Sequence, residues 1–162
     1  MAETLIHSDV IISMINDDGI KVTYKNNKVC ILGYTEISGV DLDKIGLIFD
    51  DNLCQILNGY STIDDYNILD CAIRLLDENS EYNVVDPTRW HYAGRLKLVS
   101  YIEEDVECYF VNLSNIPTFP KEKKIHFKLV DLATAFNKNN NALLQAMLLK
   151  LYMFKFRNIL ED

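Results

Sequence analysis

Several carboxylates in this sequence come close together: Asp50 with Asp51, Asp64 with Asp65, and Glu103, Glu104, Asp105 and Glu107 in one run. Grouped acids can hold a divalent metal that activates water. The nearest approach to such a centre joins Asp86 or Glu107 to Glu122 and Lys124, two acids for a metal and a lysine to help activate water. Glu122, however, follows Pro117 and Pro120 in a segment that reads as a loop, not as the strand such a centre needs. A second chemistry is nucleophilic. The chain has three histidines, His7, His91 and His126, and Cys108 could meet His91 as a thiol–imidazole dyad if their strands pair. The other cysteines, Cys30, Cys54 and Cys71, also sit among apolar neighbours, and no C-x-x-C pair sets up a zinc site. All four read as buried free thiols of a reducing compartment. The six glycines match neither nucleotide-loop pattern.

The third chemistry is recognition. Arg89-Trp90-His91-Tyr92 is the most unusual local cluster, and Trp and Arg dominate binding hot spots. Arg89, Trp90 and Tyr92 are therefore candidate anchors. Asp64, Asp70, Asp77 and Glu78 share the polar side of one helical segment. With Glu103, Glu104, Asp105 and Glu107 they could merge into a negative patch that steers a basic partner.

The elements that must position these residues follow from periodicity. Residues 4–37 read as a three-stranded meander with turns at Asp17-Asp18-Gly19 and Asn26-Asn27. Ser38–Lys44 reads as a polar loop, Ile45–Phe49 as a short strand, and Asp50-Asp51-Asn52 as the cap of a short helix through Leu57. Ser61 or Thr62 starts an amphipathic helix to about Asn79, with Asp64 and Asp65 as capping-box acids. Trp90–Ile102 and Val106–Leu113 read as strands joined by a Glu103-Glu104-Asp105 turn. Ile125–Val130 is a last strand, Asp131–Lys138 a short helix, and Asn141 caps a final helix to Leu160. That helix is apolar almost all round, so it is buried on more than one side or meets a partner.

Strands joined mostly by hairpins favour the α+β class. The expected architecture is a single domain over residues 1–162. It has a mainly antiparallel sheet of five to seven strands, helices on one face, and a largely buried C-terminal helix. The net charge is −8, and it is lopsided: residues 1–120 carry −12 and residues 121–162 carry +4. An acidic body argues against direct nucleic-acid binding. The first ten residues lack a signal-like basic and apolar pattern, and no apolar run reaches membrane-span length, so a cytoplasmic protein without membrane attachment is expected. The function expected is that of a small acidic interaction protein, an inhibitor, immunity-type or host-factor-blocking protein that binds a basic partner protein, with no cofactor and no metal. Two alternatives stand beside it: a component that oligomerises through residues 142–160, and a metal-dependent or Cys–His hydrolase.

Overall fold

Strand β4 (Lys28–Ile37) is buried without a break from Val29 to Tyr34. A strand apolar on both faces belongs in the middle of a sheet with layers above and below it. That is its place in the computed structural model, which describes residues 3–7, 10–15, 19–24, 27–51, 53–99, 103–137 and 141–161. One edge of β4 pairs in parallel with β9 (Glu103–Asn112). The other edge is shared by two antiparallel partners. β5 (Asp41–Asp50) takes Gly33–Ile37, and β7 (Leu57–Tyr60) takes Lys28–Ile31. With β8 (Trp90–Val99), β10 (Phe127–Asp131) and the short β6 (Leu53–Gln55), these make a seven-stranded sheet, β10-β5-β4-β9-β8 along its main path.

The α+β class and the mainly antiparallel sheet stand as expected. The layering differs, because the helices lie on both faces. Side chains alternate along a strand, so Cys30 and Leu32 point one way and Val29 and Ile31 the other. The first pair joins Val106, Cys108 and Phe110 under Leu144, Met147, Leu148 and Leu151 of α3 (Ala142–Glu161). Ala135 of α2 (Leu132–Asn137) adds to that layer. The second pair joins Leu57 and Val111 under Cys71, Ala72, Leu75 and Leu76 of α1 (Ile68–Asn79).

Several local expectations are corrected. β1 (Glu3–His7), β2 (Val10–Ile15) and β3 (Gly19–Tyr24) form a sheet of their own, because both edges of β4 are already taken. The turn residues Asp17, Asp18 and Asn26 lie outside the described residues. Ser38–Lys44 is a tight turn followed by strand: Ser38 and Gly39 take φ of 56° and 70°, and β5 starts at Asp41. No helix follows Asp50; the chain turns at Asp51 into β6. α1 starts at Ile68, capped by Asn67 Oδ1 accepting from Asp70 N at 2.8 Å. The Thr62/Asp65 pair closes a turn instead, Thr62 N donating to Asp65 Oδ2 at 2.8 Å. Asn141 does cap α3, its Oδ1 accepting from Leu143 N at 2.9 Å. The inner side of α3 is buried, whereas Leu149, Met153 and Phe156 on its outer side are 62–64% exposed. Among the described residues no helix is long and apolar enough to cross a membrane.

The α1 face is packed to the limit at Gly46. A Cβ there would overlap the ring of Phe127, lying 2.9 Å from Cε2 as well as meeting its nearest carbon. Gly46→Ala is expected to lower the unfolding free energy by about 1–3 kcal/mol, the usual cost of overpacking a filled core. Chemical denaturation followed by Trp90 fluorescence measures it.

Candidate functional site

Arg74 organises the polar side of α1. Its Nε and Nη2 donate to Asp65 Oδ1 and Oδ2 at 2.8 and 2.9 Å, its Nη2 also to the Tyr60 carbonyl at 2.9 Å, and its Nη1 to Glu78 Oε2 at 3.1 Å. This fork geometry suits a carboxylate. The Asp65 side chain is 5% exposed, and the hydrogen bonds from Arg74 hold its carboxyl down at about 2. Lys121 Nζ serves Asp77 in the same way, donating to its carbonyl at 2.5 Å and to Oδ1 at 3.1 Å. Two acids of the expected patch, Asp77 and Glu78, are thus paired with the chain's own cations. Asp70 lies in the first turn of α1, and Asp64 is exposed in the turn before it.

The acids of the 103–107 run are strand residues, not a turn. Glu103 lies opposite Val99, Glu104 opposite Leu98, Asp105 opposite Lys97 and Glu107 opposite Arg95. Strand alternation then sends Glu104 to one face and Asp105 and Glu107 to the other. Glu104 accepts from Tyr60 Oη at 2.7 Å and from Lys28 Nζ at 3.4 Å. Glu107 faces the other way and is 7% exposed. It accepts from the Tyr92 hydroxyl and from Arg95, Nη2 at 2.6 Å and Nε at 2.8 Å. That carboxylate pushes the Tyr92 phenol up to about 12. Asp105 is exposed. The strand acids are therefore divided between the two faces of the sheet, Glu104 on the α3 side and Glu107 on the α1 side. Of the three aromatic and cationic anchors, only Tyr92 is open to solvent. Trp90 is 9% exposed with Nε1 donating to the Val84 carbonyl at 2.9 Å, and half-buried Arg89 donates to the Ser114 carbonyl at 2.9 Å.

Neither hydrolytic constellation expected from the sequence assembles. Cys108 is fully buried, and its sulfur lies 3.4 Å from that of Cys30, its neighbour across the parallel strands. The hydrogen bond to Cys108, and then burial, push the Cys30 thiol well up. His91 stacks on Phe154 at 4.2 Å, and burial lowers its pKa. The Cys108–His91 dyad is absent. Asp86 caps the short 3-10 turn Pro87–Arg89, accepting from Thr88 N at 2.9 Å, and Glu107 lies under Tyr92 and Arg95. Among the described residues no group of three or more His, Cys, Asp or Glu is placed to form a resident metal cage.

What the fold does bring together is a cleft of about 170 Å³ lined by Asp50, Glu78, Asn79, Lys123, Lys124 and His126. Asp50 ends β5, and Glu78 and Asn79 end α1. The segment before β10 is drawn alongside β5 by backbone pairing, Phe49 N donating to the His126 carbonyl at 2.9 Å. His126 Nδ1 lies 2.9 Å from the Phe49 carbonyl. A carbonyl only accepts, so Nδ1 carries the proton and Nε2 is left for the cleft. Two carboxylates, two ammonium groups and one imidazole share this space. In the sequence, Asp50 reads as a helix cap and Lys121–Lys124 as plain loop charge. Nothing in their spacing announces that they meet.

No protein-family model and no curated protein matches the chain. Solved structures do. An ADP compounds hydrolase covers 95% of this chain and 91% of its own, with a TM-score of 0.57 at 12% identity. The Nudix domain of Shewanella oneidensis NrtR, complexed with ADP ribose, covers 85% and 90%, with a TM-score of 0.60 at 15% identity. The C. elegans Ap4A hydrolase covers 80% and 97%, with a TM-score of 0.54 at 16% identity. The chain has the Nudix fold. That likeness overturns the reading as an acidic inhibitor or immunity protein, since the structures sharing this architecture include hydrolases of nucleotide compounds.

Removing Arg74 tests the pairing on α1. Arg74→Ala leaves the Asp65 carboxylate without its charge partner, with Thr62 still bonded to it, and a loss of about 1–3 kcal/mol at neutral pH is expected. Because the Asp65 pKa is depressed in the folded state, its contribution is present above 3.8 and disappears as pH falls toward about 2. The wild-type protein should lose stability across that interval, and the variant should lose less of it. Urea midpoints measured from pH 2 to 7 read both effects.

Proposed function

We propose that this chain is a hydrolase that cleaves phosphoanhydride bonds in nucleoside-linked compounds, with the Asp50–Glu78–Lys123–Lys124–His126 cleft as its reacting site. The observation that carries the reading is the convergence of those five side chains from three separated segments. The fold neighbours named as an ADP compounds hydrolase and an Ap4A hydrolase support the substrate class. A cleft of about 170 Å³ admits phosphate groups while the rest of a substrate lies outside it.

The roles follow from the chemistry of each group. Lys123 and Lys124 place positive charge where phosphate oxygens gain negative charge during cleavage. His126, with its proton fixed on Nδ1, offers the Nε2 lone pair to take a proton from the attacking water. The water oxygen bonds to phosphorus, the bridging P–O bond breaks, and two phosphate products leave. Phosphates commonly carry a magnesium ion that needs only one or two protein carboxylates, and Asp50 and Glu78 are the pair in reach. All four thiols are free, which suits a reducing cytoplasm as the place of reaction.

The test is a product assay. ADP-ribose and Ap4A, each with magnesium chloride, are incubated with the purified protein, and nucleotide release is followed by chromatography. Turnover of at least one substrate is expected, with kcat/KM reduced about 100-fold or more in His126→Gln and in the double variant Lys123→Gln/Lys124→Gln. No release from either substrate, or full activity in both variants, overturns the reading.

A further inference from the structure

On the opposite face of the sheet, β8 and α3 enclose a groove of about 500 Å³. We propose that this groove binds a planar aromatic ring carrying an anionic group, phosphate or carboxylate. It is independent of the cleft at the end of α1 and shares no residue with it.

The shape comes from a bulge. The β8–β9 register shifts between Tyr92 and Gly94, and Gly94 takes φ +94°, a conformation that side-chain-bearing residues rarely adopt. The bulge presents the Ala93 carbonyl to Lys150 Nζ at 3.0 Å. An ammonium has three donors, so this contact holds the group in place and leaves capacity for an anion. Arg157 is the second cation of the lining. Among the described residues no carboxylate lines the groove, in a chain whose net charge is −8. Two cations in such a lining favour an anionic ligand.

The walls fit a ring. His91 and Phe154 are stacked at 4.2 Å, and Phe110 forms a buried floor. Met153 and Phe156 stand 64% and 62% exposed at the mouth. Flat aromatic faces and a polarisable thioether gain most from covering another ring. The volume falls in the range of roughly 300–1,000 Å³ typical of small-molecule sites.

Met153 supplies the readout. Protein labelled with 13C-methyl methionine is titrated with AMP, with salicylate and with adenosine, and the methyl signals are followed by NMR. Met147, fully buried on the inner side of α3, is the internal control. The expected result is a saturable shift of the Met153 signal with AMP or salicylate, with AMP against salicylate separating phosphate from carboxylate. Adenosine should bind about tenfold more weakly, as should AMP to either Lys150→Gln or Arg157→Gln, the loss of one charge-assisted contact. His126→Gln should leave the Met153 response intact, which separates this site from the hydrolytic cleft. A Met153 signal unmoved by both anions, or moved equally by adenosine, overturns the proposal. So does a signal that moves with protein concentration alone, which assigns the groove to a second copy of the chain through residues 142–160.

Discussion

The structure depends on β4 being apolar on both faces. A strand buried from Val29 to Tyr34 cannot lie at an edge or face water, so it fixes a layer on either side of itself. α1 closes one layer over Val29 and Ile31, and α3 closes the other over Cys30 and Leu32. The parallel partner β9 is reached only after a long excursion, and α1 lies within it. Close approach of the layers explains the glycines opposite α1. Gly59 leaves room for Leu75, whose Cδ2 lies 2.5 Å from where a Cβ would stand, and Gly33 leaves room for Leu113.

Part of the acidic charge is paired within the chain. Asp65, Asp77, Glu78, Glu104 and Glu107 each have a lysine or arginine of the same chain within ion-pair distance. The pair formed by Glu36 and Lys155 ties β4 to α3, with both side chains at most 13% exposed. A count of acids cannot reveal this, because the cations that answer them come from distant positions. Lys121 pairs with Asp77 across 44 residues, and Lys28 with Glu104 across 76. The acidic total is real, but five of its carboxylates are answered by cations of the same chain.

The sheet separates two chemically different places. Near the end of α1, polar groups of both signs crowd into a small cleft. On the far side, aromatic rings and two cations line a larger groove without a carboxylate. The segment that brings Lys123, Lys124 and His126 to the first is anchored by a short backbone pairing to Phe49, and the second owes its opening to one bulge at Gly94.

The sequence by itself determined the class of fold. The apolar run of β4, the one-sided pattern of α1, the Asn141 cap and the helical run after it are local signals, and each is set by side chains a few residues apart. It also set three of the four thiols as buried, since Cys30, Cys71 and Cys108 lie inside apolar runs. Cys54, expected to be buried with them, is only half-buried on the short β6. Tertiary structure alone decided the layering and the sites. The polar residues 41–44 became strand because hairpin pairing with β4 carried them. The 103–105 acids became strand because β8 continues opposite them. Trp90 turned inward because the Val84 carbonyl satisfies its indole N–H in the core. The cleft joins Asp50, Glu78 and His126 from separate segments, and no spacing along the chain encodes a meeting that only the packing of α1 and β10 around β5 brings about.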